Sequence, residues 1–255
     1  MNLLSKLLVL FFLINSTDLY SREVGQTEIT TDGGVEVFKQ EKYYLLKENV
    51  IIDSDNFKLN ADLVKAYFEK DLYDITRIDA EGKVTFKTSS NLNGSGSNVD
   101  IDTINETIFI FGKNSILNNS KTIMNSDESI LVNNKKGHFK IQGKGSRLIN
   151  DEIDIAGNYI EGNFINGNDQ NVINNLFVKS DNQINIKTNT LDMYSLTAKY
   201  NKNDDIIELF DNVKIFRDNE LITGNYAKIN TITETYKVKS KDSEKVKILL
   251  NTPDE

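Results

Sequence analysis

From Met1 to Thr252 the chain contains no proline; the one proline among its 255 residues is Pro253. Proline has no N–H to give to a ladder and is kept out of paired strands, so a chain this free of it can run as nearly continuous sheet. Its apolar residues follow the period of two that a half-buried strand requires. In Asn49 to Phe68, NVIIDSDNFKLNADLVKAYF, Val50 and Ile52 alternate with outward positions, DSDN supplies a polar turn, and Phe57, Leu59 and Ala61 resume the alternation. This is a β-hairpin. The unit returns as Asn212 to Ile229, where Val213 and Ile215 precede the turn RDNE and Ile222 and Gly224 follow it. A recurring hairpin buries its apolar face by stacking on its neighbours.

The remainder reads as more of the same, roughly 20 short strands with turn signals between them and no amphipathic helix. Lys58 to Phe68 departs from strict alternation at Leu63, Val64, Ala66 and Tyr67, which points to a strand with a bend near Asp62 and Leu63 where the inward parity switches. Glu81-Gly82 reads as a turn between two strands, Ser89 to Asn98 as a flexible loop tip, and Ile153 to Val178 as a series of very short rungs. The fold class expected is all-β, an elongated open jelly roll or β-solenoid-like stack of short antiparallel strands forming two facing sheets. With about ten strands per wall at about 4.8 Å each, such a body is roughly 50 Å long.

The first residues, MNLLSKLLVLFFLINSTDLYS, carry Lys6 ahead of an apolar run from Leu7 to Ile14 and small residues before a cut after Ser21. They read as a secretory signal peptide, because the apolar run falls short of the roughly 18 to 20 residues that span a bilayer. The chain has no cysteine, so neither a lipoprotein anchor nor a disulfide framework is expected, and an oxidising compartment is tolerated. The net charge is −8, and removing residues 1–21 takes away one Lys and one Asp and leaves it unchanged. An acidic chain lacks the cations that neutralise phosphate backbones, so no nucleic-acid partner is expected. Charge alone does not draw it to an anionic membrane either.

Catalytic chemistry has little to stand on. There is no thiol, the one histidine is His138 in GHFKIQG, and no HExxH, Walker loop or C-x-x-C pattern is present. No enzyme activity, catalytic residue, metal site or cofactor is expected, and His138 reads as a solvated residue at a strand start. GSGSNV at 94–99 and GKGSRL at 143–148 each lack the third glycine of a dinucleotide fingerprint and read as turns. Asp53 with Asp55, Asp100 with Asp102, and Asp204 with Asp205 complete no calcium loop. The basic run KVKSKDSEKVK at 237–247 reads as the solvated face of a terminal strand. What remains is an apolar face that serves equally as a packed core or as a groove for an apolar ligand.

The order ITTDGGVEVF (29–38), ENVIIDSDNFKLNADLVKAYF (48–68) and RIDAEGKVTF (77–86) resembles the OstA-like family of LptA-type periplasmic lipopolysaccharide-bridge proteins. The family's phrases are a G-N-V-x-V strand, an apolar-x-A-D-K strand and an A-x-G-x-V strand. The resemblance covers about residues 27–111, and again 205–250, where ELITGNYAKINTITETYKVKS is similar to the closing strands. Glu48 stands where glycine is usual, and Leu63 where lysine is.

The resemblance implies a signal peptide at 1–21, OstA-like jelly-roll repeats at 22–117, and further rungs at 118–255 that end in a second copy continuous with the first. It implies a periplasmic protein that shields lipopolysaccharide acyl chains and passes them from inner to outer membrane. Its partners would be lipopolysaccharide, jelly-roll proteins at the two membranes joined by edge-strand pairing, and further copies of itself head to tail. Parity and the family match together give as groove residues Ile29, Val37, Val50, Ile52, Leu59, Ala61, Phe86, Val99 and Ile101, with Val213, Ile215, Ile222 and Ile229 in the second copy. Two other readings are a membrane-tethered jelly roll that hands lipid to the bridge and a ligand-free structural β-solenoid.

Overall fold

The structure, a computed structural model, describes residues 23–70, 74–166, 171–217, 220–241 and 244–250. The signal-peptide reading of residues 1–21 lies outside the described residues. Within them the chain forms strands and turns and no helix. The strands are β1 (Glu28–Thr30), β2 (Val35–Phe38), β3 (Tyr43–Asp53), β4 (Phe57–Phe68), β5 (Ile75–Thr88) and β6 (Asn93–Asp102). Then come β7 (Thr107–Phe111), β8 (Ser115–Asn118), β9 (Ile123–Ser126), β10 (Ser129–Asn133), β11 (His138–Ile149) and β12 (Asp154–Asn166). The last are β13 (Asn171–Lys187), β14 (Asp192–Asn201), β15 (Ile206–Arg217), β16 (Glu220–Asn230), β17 (Tyr236–Lys239) and β18 (Lys247–Leu250).

All pairing is antiparallel, and the registers show how these strands make two walls. In the long strands the ladder slips part-way along, between Lys47 and Val50, Asn60 and Leu63, Glu81 and Val84, Gln142 and Ser146, Lys179 and Ile184, and Phe210 and Val213. Each slip bends a strand, so that one half pairs in a first wall and the other in a second. The short strands are rungs broken in two at the same place. One half of β3 pairs with β1 and the other with β2; β6 pairs in the same way with β8 and β7, β11 with β9 and β10, and β16 with β18 and β17. Ten long strands and four broken pairs therefore give fourteen rungs. At about 4.8 Å per rung the stack is roughly 60 Å long, longer than the spacing of sequence signals suggested.

The recurring hairpin holds at the level of register. Val50 pairs with Ala61 and Ile52 with Leu59; in the second copy Val213 pairs with Gly224 and Ile215 with Ile222. Each copy bends through two successive left-handed residues, Glu48 and Asn49 at φ 62° and 48°, and Asp211 and Asn212 at φ 61° and 53°. The parity switch expected near Asp62 is present, with Leu59 and Ala61 buried before the bend and Val64, Ala66 and Phe68 buried after it.

Three sequence expectations are corrected. Glu81-Gly82 is no hairpin turn but the bend of the single strand β5, where Gly82 at φ 80° lies against the Asp62 side chain. Most of the expected loop tip Ser89 to Asn98 is the first half of β6, whose glycines pass under bulky neighbours instead of making a turn. The short rungs read between Ile153 and Val178 are parts of β12 and β13, of 13 and 17 residues, because their Asn and Gly sit at bulges without ending the ladder.

Candidate functional site

Alternation sends every second side chain of both walls into the space between them, where they form one continuous apolar cluster from Leu46 to Ile229. Nine of the residues expected to line a groove are buried in it, Val50, Ile52, Leu59, Ala61, Phe86, Val99, Val213, Ile215 and Ile229, and Ile222 is buried beside its partner Ile215. Ile101 is half-buried and packs against the cluster. Ile29 and Val37 are 44% and 45% exposed. They face the same way as their partners Ile52 and Tyr44, but they belong to the first rung, which among the described residues has a neighbour on one side only. At the other end Ile248 of β18, opposite Ile222, is exposed for the same reason. Along its length the interior is filled by side chains such as Ile110, Ile130, Ile141, Leu148 and Ile160.

The two long edges of this space differ. Along the bend edge run the buried serines Ser115, Ser126, Ser146, Ser180 and Ser195. Ser115 donates to the Gly112 carbonyl (2.8 Å), Ser146 to that of Gly143 (2.7 Å) and Ser195 to that of Thr197 (2.9 Å). Ser126 donates to the Gln142 carbonyl and accepts from the N–H groups of Glu128 and Ser129 (3.0 and 3.2 Å). At these four bends the ladder leaves a backbone group free, and the serine hydroxyl satisfies it. These serines were not singled out in the sequence; their signal was a small polar residue at the place where the inward parity breaks.

Along the opposite edge, where the turns lie, both walls carry half-buried apolar residues against the cluster. Phe57, Leu92, Met124 and Ile153 come from the first wall, and Ile75, Ile101, Ile108, Val132, Ile173 and Tyr200 from the second. They make an apolar lip. No ladder crosses it; among the described residues side chains bond across it towards the C-terminal end, where Thr190 and Arg217 donate to Glu234 (both 3.3 Å) and Tyr236 donates to Glu220 (3.2 Å). The walls are therefore fastened along one edge and held along the other by side-chain contact alone.

The remaining polar candidates are occupied otherwise. Asp100 is bonded to Arg77 (2.7 Å), Asp53 to Lys58 (2.8 Å) and Asp205 to Lys202 (3.1 Å), while Asp102 accepts the Asn105 N–H (2.8 Å). No group of three or more His, Asp or Glu side chains is placed to hold a metal among the described residues. His138 opens β11, as its strand-start reading expects, and is paired as well as partly solvated. Half-buried on the outer face of the second wall, its Nε2 lies 3.0 Å from Glu161 Oε1, and the Tyr159 hydroxyl donates to Glu161 Oε2 at 2.6 Å. The Tyr159 hydrogen bond, and after it that of His138, holds the Glu161 carboxyl below its usual range, and the Tyr159 phenol is pushed up to about 12.

With this geometry in hand, residues 28–138 match the family model described as LptA/(LptD N-terminal domain) LPS transport protein. Over that stretch the chain is similar to this family. It begins at the first residue of β1 and ends at the first of β11, so the LptA/LptD-type stretch spans the first seven rungs. The remaining seven continue its ladders, with β9 and β10 both pairing with β11. Among solved structures the chain is similar to LptH from Pseudomonas aeruginosa, described as the LptA-homologous periplasmic component of the lipopolysaccharide transport device. The identity is 8%, the match covers 89% of this chain and 96% of that one, and the TM-score is 0.23. At those values the likeness adds nothing to the registers given above. No curated protein matches the sequence.

Proposed function

We propose that this chain is a periplasmic component of lipopolysaccharide transport, one link of a bridge that shields acyl chains between its walls and passes them from inner to outer membrane. The observation that carries the reading is the asymmetry of the two edges. An apolar interior runs the length of the stack and is closed on one side by bends of continuous backbone tied with hydrogen bonds, on the other by side chains alone, the apolar lip with a few polar bonds at its C-terminal end. Acyl chains would enter by parting the lip, and their burial at about 0.8 kcal/mol per CH2 would replace the side-chain contacts given up there. The thirteen residues named from the sequence would line that path, with Ile29 and Val37 at one open end and Val213, Ile215, Ile222 and Ile229 towards the other. Partners of the same fold would add their edge strands to β1 and β2 or to β17 and β18, whose outer sides are unpaired among the described residues. The role is one of binding and transport, with no chemical step.

The filled interior favours a second reading, a ligand-free structural stack. Photo-crosslinkers at Phe86 and Ile101 in cells separate the two. Capture of lipopolysaccharide at both positions is expected; failure at these and at every other inward position would leave the ligand-free stack.

A further inference from the structure

The outer face of the second wall carries a trough of about 570 Å³ over β11 to β16, within the range of small-ligand sites. Cross-strand register builds its floor. Glu161 lies beside Phe177, Phe177 beside Lys199, Lys199 beside Glu208 and Glu208 beside Lys228, one row across five strands. A parallel row brings Asn163, Asn175 and Asn201 side by side nearer the lip. Five strands span roughly 19 Å, so the trough is elongated.

The chemistry of the lining selects a ligand class. Lys199 and Lys228 are offset by Glu161 and Glu208, with Asp204 at the rim, so the trough offers no excess positive charge to a phosphate or another anion. It is too polar for an acyl chain. Among the described residues the amides of Asn163, Asn174 and Asn175 have no hydrogen-bond partner on the protein, and each presents donors and an acceptor to the space above it. Asn174 is there because β13 bulges: Asn175 pairs with Asn163 and Ile173 with Phe164, which leaves Asn174 between them outside the ladder. Phe177, edge-on to Tyr159 with ring centroids 6.2 Å apart, adds an apolar ring among the polar groups. Paired donors and acceptors around an aromatic ring suit a chain of hydroxyl-bearing rings, each with polar edges and an apolar face. Between these outward rows Leu176 and Tyr200 point the other way, into the cluster, and Tyr200 belongs to the lip.

We infer that this trough is a saccharide site, which holds the oligosaccharide of an amphiphile on the outer face of the second wall while its acyl chains lie between the walls. The choice of amphiphile rests on the transport reading; the saccharide class rests on the trough itself.

The test is calorimetric titration of the full chain with lipid-free oligosaccharide released from lipopolysaccharide by mild acid, beside Asn175→Ala, Phe177→Ala and Asn163→Ala. These side chains point outward, and unchanged thermal unfolding qualifies each variant for comparison. Binding by the parent chain and at least tenfold weaker binding by the qualifying variants are expected. Absence of binding by the parent chain, binding by the variants equal to the parent, or displacement of the oligosaccharide by inorganic phosphate would each overturn the inference. Crosslinking at the inward positions separates the two proposals. Capture at Phe86 and Ile101 without oligosaccharide binding overturns the trough and leaves transport standing, whereas oligosaccharide binding without capture at any inward position supports the trough and sinks transport.

Discussion

Ile110 of the second wall reaches across the interior to Gly94 of the first: a Cβ built on Gly94 would lie 3.0 Å from Ile110 Cδ1, and 2.2 Å from the Phe86 ring. The walls thus meet over a position where no side chain fits. Gly94→Val forces either the Phe86 ring or the wall itself aside, and overpacking of this kind costs about 1–3 kcal/mol. The expected outcome is a lower midpoint in urea with an unchanged slope. Gly94 is not in the left-handed region, so the loss reads the clash alone.

Ser126→Ala removes the hydroxyl that serves two N–H groups and one carbonyl where β9 gives way to β10. Buried polar groups left without partners cost about 1–3 kcal/mol. A destabilisation in that range by chemical denaturation is expected, with hydrogen exchange accelerated first at Glu128 and Ser129.

Glu48→Gly runs the other way. Glu48 sits at φ 62°, where a residue with a Cβ is strained by about 1–2 kcal/mol, while glycine gives back part of that through its freer unfolded chain. A net gain of about 0.5–1 kcal/mol is expected, read as a rise of a few degrees in the unfolding midpoint. Asp211→Gly at the matching bend should gain less, because Asp211 also bonds Lys241 at 2.7 Å.

Stability should depend on acid through Glu161. Its folded carboxyl titrates below its usual range, chiefly because of the Tyr159 hydroxyl, so the stabilisation is present above the unfolded carboxyl's ordinary value of 4.5 and is lost as pH falls through the lowered folded value. Tyr159→Phe should therefore be less stable than the parent near pH 7, and the gap should narrow below pH 4.5. Glu161 is about two-fifths exposed, which keeps the effect small; a gap that is flat with pH would show that the hydrogen bond does not act through the carboxylate.

If acyl chains pass the lip, a charge placed there should repel them. Ile101→Asp is expected to lower lipopolysaccharide capture at Phe86 at least tenfold, whereas Ile51→Asp, on the outer side of the first wall and 39% exposed, should leave it unchanged. Equal capture in both would place the entry elsewhere.

Much of the fold was legible in the chain because period-two alternation is a local property. Val50 and Ile52, and their counterparts Val213 and Ile215, reveal their inward face without knowledge of what lies opposite. The bend at Asp62 was legible for the same reason, since a broken alternation is visible in one strand. Gly94 was not, because a glycine in GSGSN looks the same in a loop as it does beneath Phe86 and Ile110; only the opposing wall tells them apart. Ile29 and Val37 had the right parity, but their exposure depends on what lies beyond their rung, which among the described residues is nothing and which no pattern inside a strand records. The trough also depends on pairing, as Asn163, Asn175 and Asn201 lie far apart in the chain and meet only through register.

Among the described residues every rung of this stack pairs only with the rung before it and the rung after it in the chain. The polypeptide can therefore close its ladders in the order in which it is delivered, like a zipper drawn from one end, with no distant segment to wait for. A chain delivered unfolded, one end first, would need only a stretch of about two rungs to begin.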